Sequence, residues 1–285
     1  MARRIRRETV HQYSRDLFAR AGIASPPATI ADLEADVAKL KAINVAPVAV
    51  GAKDAWPAAD WYYNFALREC SQATMTDTVK SLKFTDPCWT KAGDDLASFL
   101  KVNPFQTGFL TTSAQQGAGS SAGLVANHKA AMELMGTWDP GVIASLTPDQ
   151  KPLPDLGWFA FPAVPGGQGD PSAMMGGGGY SLSANAPKEA FGFLEFLVTK
   201  DQQEAYANAF VTIPVNKAAR SVVTQSYNIS ALQAFSKAAY TSQFLDTLFG
   251  QNVGNAMNTA VVNLLAGKGT AADIVSNTSE AAAKG

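Results

Sequence analysis

The chain has 285 residues, 47% of them apolar, which suffices for one large or two modest domains with a true core. Only 16% are charged, and Lys+Arg 23 against Asp+Glu 24 leaves a net charge of −1. That balance argues against a nucleic-acid or anionic-membrane partner, which needs a basic face. No apolar run approaches the roughly 18 residues of a membrane span.

Met1 to Glu8 reads MARRIRRE. An export signal would follow such a start with an apolar stretch. Thr9 to Arg20 is instead polar and broken by Arg15 and Asp16. The expectation is a basic disordered tail over residues 1–12 and no export signal. Thr29 to Ala42 predicts a helix, with Thr29 as cap, Asp32 at the capping-box position, and Leu33, Val37 and Leu40 on one face. Val45 to Val50 reads as a strand ended by Gly51. Ala58 to Glu69 is an aromatic-rich helix carrying Trp61, Tyr62, Tyr63 and Phe65. Lys91 to Lys101 is a helix resting on Leu96, Phe99 and Leu100.

Ala130 to Met135 reads as a strand, followed by the turn Gly136-Thr137-Trp138-Asp139-Pro140 and a helix from Gly141 to Leu146. Pro140 suits the first turn of that helix. Trp158 to Phe161 is a strand stopped by Pro162, and Pro165 to Asp170 is a loop. A glycine run, Gly176 to Gly179, leads into Tyr180. Helices follow at Pro187–Thr199, Asp201–Asn208, Val253–Ala266 and Thr270–Ala283. Many helices with a few short strands indicate an α/β or α+β protein.

Gly119-Ser120-Ser121-Ala122-Gly123 matches the nucleophile-elbow pattern of hydrolases. It lacks the preceding strand, and the only later histidine, His128, follows seven residues on. A helix start rich in small residues is the better reading. With two histidines, no phosphate loop and no metal-spaced cluster, no catalytic residue, metal or cofactor is expected. Cys70 and Cys88 are too few for a zinc site. The residues alone leave open a disulfide or two buried thiols.

Tryptophans carry the better signal. Trp56, Trp61, Trp138 and Trp158 stand mostly at ends of elements, where a ring can offer one face to the C–H face of a sugar. Trp138 reads as a ligand contact, Trp158 as core, and Trp56 as either. The Gly176–Gly179 run reads as a flexible turn or as backbone brought close to a ligand.

Motif order adds a resemblance. Asp16-Leu17-Phe18, Ala21-Gly22-Ile23, Pro47 to Gly51 and Trp56-Pro57 come first. Lys129 to Met132 running to Gly136–Gly141 is the most specific stretch. Phe161 to Gly167, the Gly176–Tyr180 run and Ile213 to Asn216 follow in the same order. Over about residues 13–280 the chain resembles the family-1 extracellular solute-binding proteins, the sugar-binding lipoproteins of ABC importers.

The resemblance implies an α/β, periplasmic-binding-protein-like type II two-lobe clamp that closes on a sugar and docks on a membrane permease, as a monomer and not as an enzyme. It makes Trp138 the platform under the sugar ring, places Trp56 near another contact region, and makes Gly177, Gly178 and Tyr180 the crossover lining the cleft. Trp61 and Asp139 complete the expected ligand set. It also implies a Cys70–Cys88 disulfide and an extracellular, membrane-associated place for full-length relatives. Against that pattern the chain lacks most of the first lobe. Residues 13–178 and 232–285 would be the second lobe and 179–231 a remnant of the first. Weak sugar binding and uncovered apolar surface on the helix at 187–199 are the expected consequences. The alternative is a glycoside hydrolase acting through a carboxylate pair.

Overall fold

The computed structural model describes residues 2–3, 9–176, 179–210 and 212–284. Ala2–Arg3 (β1) pairs antiparallel with Gly179–Tyr180. Thr9–Ser14 (β2) is not a tail. It is an inner strand of a four-stranded sheet, and Thr9, Val10, His11 and Gln12 are buried. The polar letters of this strand hid it, because it is covered on both faces and so lacks an alternating pattern. The remainder of the expected 1–12 tail, residues 1 and 4–8, lies outside the described residues.

Arg15–Arg20 (α1) follows, capped by Ser14, whose hydroxyl accepts from Leu17 N at 3.1 Å. Ile30–Ala42 (α2) begins with the predicted capping box between Thr29 and Asp32. Ala46–Ala49 (β3) leads into Trp56–Glu69 (α3), in which every residue from Pro57 onward is buried. Other elements surround this helix, so even its polar residues Asp60, Asn64, Arg68 and Glu69 are buried. Gln72–Ser81 (α4) and Pro87–Leu100 (α5) come next. Ser121–Ala126 (α6), Ala130–Gly136 (β4), Asp139–Leu146 (α7) and Leu156–Phe159 (β5) complete the central layer.

The sheet order is β3-β4-β2-β5, with β2 antiparallel to both neighbours and β3 parallel to β4. Register places His11, Leu134 and Phe159 side by side on the face toward α3, where the His11 ring meets Trp61 at 5.3 Å. Gln12, Glu133 and Ala49 line up on the other face, toward α6 and α7, where Ala49 packs with Ala122, Val125 and Ile143. Glu133 is therefore a carboxyl in the middle of a buried strand.

Met174–Met175 (β6) sends the chain out to Gly179–Tyr180 (β7), Glu189–Leu197 (α8), Lys200–Phe210 (α9) and Ser226–Lys237 (α10). It returns through Thr241–Ser242 (β8), parallel to β6. α10 packs on β5, where Trp158 Nε1 donates to Ser230 Oγ. A lobe boundary at 231/232 would cut α10, which is one continuous helix. Leu245–Leu248 (α11) then packs on Gln251–Leu265 (α12), α12 packs on α3, α5 and Ala271–Ala283 (α13), and α13 packs on α5. The short helices α1 and α11, which the sequence does not announce, offer too few turns for a periodic signal, whereas α6 begins at the small-residue helix start read at 119–123.

Cys70 and Cys88 are joined as a disulfide that ties the end of α3 to the start of α5 across 18 residues. Replacing both by serine is expected to lower stability by about 3 kcal/mol. Calorimetry should then show a melting temperature roughly 6–12 °C lower. An unchanged melting temperature would contradict a structural role for the bond.

Arg68, at the end of α3, is buried and donates to three backbone carbonyls: Nε to Pro162 (3.2 Å), Nη1 to Ala173 (2.8 Å) and Nη2 to Phe161 (2.6 Å). The predicted loop after Pro165 closes over the same helix end. Gly169 N donates to Arg68 O at 2.8 Å, and a Cβ at Gly169 would lie 2.0 Å from Leu67 O. Glycine is required there by backbone contact.

Candidate functional site

The turn between β4 and α7 presents Trp138. Its indole lies over the preceding glycine, since a Cβ at Gly136 would fall 1.7 Å from a ring atom. The half-buried ring meets Trp56 at 6.3 Å and 45°, and Phe244 at 6.2 Å and 75°. Trp56 opens α3 directly after Ala55, which sits at φ 61°. That conformation is costly for a residue with a Cβ and clusters at sites where the chain must turn sharply. Trp138 also lines a cavity of about 250 Å³ with Gly141, Val142, Ser145, Phe210 and Thr212. Two of the expected aromatic contacts, Trp56 and Trp138, are thus brought together. Phe244 joins them from a distant segment with no mark in its local sequence.

Polar groups lie behind this cluster. Asp60, one turn after Trp56, is buried, and burial followed by the charge of Asp246 pushes its carboxyl well above the usual range. Tyr63 donates its hydroxyl to Asn258 Oδ1, and Asn258 Nδ2 donates to Asp246 Oδ2 at 3.3 Å. Among the described residues no lysine or arginine lines the Trp138 cavity. Aromatic faces with acidic and amide groups nearby suit a neutral, hydroxyl-bearing ligand and repel an anion.

The other expected ligand residues are placed differently. Trp61 is wholly buried, stacked on Phe99 at 5.1 Å and 19°, so it belongs to the core and not to a cleft. Its place near the start of a helix made it look available, but that helix is buried on all sides. Asp139 is also wholly buried, with its carboxyl against Glu133 rather than in the cavity. Gly177 and Gly178 lie outside the described residues. Tyr180 lines a second cavity of about 460 Å³ with Leu182, Phe191 and Leu194, which shares no lining residue with the first. Around it the apolar face of α8 is uncovered as expected: Phe191 is 56% exposed, Phe193 59% and Phe196 49%.

A hydrolase arrangement is not present at the pattern around Ser121. The Ser121 hydroxyl donates to Ala114 O at 3.0 Å. His128 Nε2 lies 3.1 Å from Asp155, and Ser14 donates to the same carboxylate. A catalytic triad places histidine between serine and acid. Here the acid is central, and the trio fastens the start of α1 to the loop before β5. Among the described residues no group of three or more His, Cys, Asp or Glu is set to hold a metal, and no helix is long and apolar enough to cross a membrane.

A profile described as bacterial extracellular solute-binding protein matches residues 11–204. A binding protein of Brucella abortus (strain 2308) is 24% identical over 258 residues, covering 90% of this chain and 60% of its own length. The chain thus spans about 60% of the curated relatives it matches. Among solved structures, a chitin oligosaccharide binding protein superposes with TM-score 0.86 at 21% identity, covering 99% of this chain and 70% of the other. A protein from work on xylan utilization by Caldanaerobius polysaccharolyticus gives TM-score 0.86 at 22% identity, with 98% and 71% covered. The GacH receptor of Streptomyces glaucescens, studied with acarbose, gives 0.73 at 16%, with 99% and 70% covered. These likenesses establish the fold as that of the type II α/β binding proteins. With the profile covering most of its length, the chain belongs to the bacterial extracellular solute-binding protein family.

Proposed function

We propose that this chain forms the tryptophan-bearing wall of a carbohydrate-binding cleft in the solute-binding component of an ABC importer, delivering its sugar to a membrane permease outside the cytoplasm. The observation that carries the reading is the Trp138 ring, held on Gly136, open to a cavity and clustered with Trp56 and Phe244. An indole face takes the apolar C–H face of a sugar, and neighbouring amide and carboxyl groups take its hydroxyls. The similar structures of a chitin oligosaccharide binding protein and of GacH in complex with acarbose are consistent with this ligand class.

In this reading, β2 through β6 and the chain from α10 onward form the second lobe, β7 through α9 belong to the first, and Tyr180 lies at the crossover. The uncovered phenylalanines of α8 offer an apolar face against which the rest of such a cleft could pack. One wall alone makes only part of the contacts that closure would supply.

Fluorescence titration with chito-, xylo- and malto-oligosaccharides tests the assignment. Trp138→Ala should weaken binding by about 2 kcal/mol, roughly 30-fold. A sugar response untouched by Trp138→Ala, or no response to any saccharide at saturating concentration, overturns the reading. Release of shortened products would instead favour a glycoside hydrolase.

A further inference from the structure

Two buried carboxyls bracket the turn that presents Trp138. Glu133 lies in β4 and Asp139 opens α7, both are fully buried, and each is the other's side-chain neighbour. Among the described residues, none of their four oxygens has a hydrogen-bond donor. Two ionised carboxylates cannot satisfy one another, because each only accepts. Two charges facing in a dry interior also repel strongly.

Among the described residues the surroundings supply no cation. α6 contributes the Ser121 hydroxyl, whose proton is given to Ala114 O. Beside Glu133, β3 brings Ala49 and β2 brings Gln12. His11 lies one residue along β2, on the opposite face, stacked on Phe159 at 4.5 Å. α3, also on that face, carries Asp60, Arg68 and Glu69, and Arg68 is occupied by three carbonyls. Burial raises both carboxyls, and for Glu133 the charge of Asp139 raises it further.

We propose that Glu133 and Asp139 share one proton at neutral pH, and that this acid–carboxylate hydrogen bond is the clasp positioning the Gly136–Trp138 turn. One carboxyl donates its O–H to the other's ionised oxygen, so one proton satisfies both groups and leaves one charge in place of two. The clasp joins the middle of β4 to the first turn of α7 across six residues, and the Trp138 ring rides on the glycine between them. Glu133 and Asp139 are positioning residues here. Their importance for ligand rests on Trp138 being the sugar platform, whereas the clasp itself can be observed without ligand.

Infrared spectroscopy of the ligand-free protein tests it. At pH 7 the wild type should show a protonated-carboxyl C=O band that shifts when glutamate or aspartate is carboxyl-labelled with ¹³C. Glu133→Gln supplies a permanent N–H donor to Asp139, and should remove that band while leaving the far-ultraviolet circular dichroism intact. Asp60 contributes equally to both proteins and cancels in the difference. The Trp138 emission, read as wild type minus Trp138→Phe, should change as the wild type is taken to alkaline pH and the shared proton leaves. It should stay flat in Glu133→Gln. If Glu133→Gln does not fold, Asp139→Asn, which supplies the same amide donor from the other partner, takes its place in the difference. No shared-proton band in labelled wild type, or the same alkaline profile in Glu133→Gln, overturns the proposal. Failure of sugar binding with the band present would count against the carbohydrate reading and not against the clasp.

Discussion

Arg68→Met should cost the fold about 3–5 kcal/mol, the range for removing one partner from a buried, charge-assisted network. The side chain is 2% exposed and its guanidinium holds the carbonyls of Phe161, Pro162 and Ala173, with its carbon also 5.7 Å from the Phe161 ring centre. Methionine restores volume but donates nothing, so three carbonyls that face the interior lose their donors together. Burial lowers the Arg68 guanidinium to about 10, opposed by Asp170, so it remains a cation at neutral pH. Arg68→Lys keeps the charge but not the planar fork, and should fall between wild type and Arg68→Met. Denaturant unfolding measures both. A loss under about 1 kcal/mol for Arg68→Met would mean that the carbonyls find water, and that the loop is not fastened through this residue.

Much of this architecture is written locally. The Thr29–Asp32 box, the β4 strand and the Gly136–Pro140 turn each announce themselves because one short segment contains the whole signal. Trp138 follows from the same turn. β2 was illegible because its histidine and glutamine read as polar, yet tertiary packing buries both. Trp61 and Asp139 were misread for a related reason. Their sequence neighbours resemble element ends, but burial is decided by α5, α6 and α12, which are remote in the chain. Phe244, the third member of the aromatic cluster, reaches Trp138 only because β8 returns beside β6. The Glu133–Asp139 contact was similarly hidden. Two acids six residues apart say nothing until a strand and a helix are folded back on each other.

His11 should make the protein labile to acid well before its carboxylates are all protonated. Its ring is wholly buried, stacked within 3° on Phe159, and neither nitrogen has a partner among the described residues. Burial, aided by the charge of Arg68, lowers it from 6.5 to about 3. The unfolded chain takes up a proton below about 6.5 that the folded chain refuses until about 3. Stability is therefore lost as pH falls through that window, by up to about 1.4 kcal/mol per pH unit and roughly 4–5 kcal/mol in all. The Glu133–Asp139 pair has the opposite sign, because raised acids lose their stabilising contribution as pH rises. The two slopes overlap between about pH 4 and 6.5, so the histidine effect must be read as a difference between proteins. His11→Phe keeps a flat ring against Phe159 and cannot be protonated. Its unfolding free energy, followed from pH 7 to 4, should fall less steeply than wild type by nearly the full one-proton slope. Parallel profiles would show that the folded protein protonates His11 as readily as the unfolded chain. Arg68→Met supplies an internal check: removing the cation should let His11 accept its proton at a higher pH, and so soften the acid limb of a protein already weakened at neutral pH.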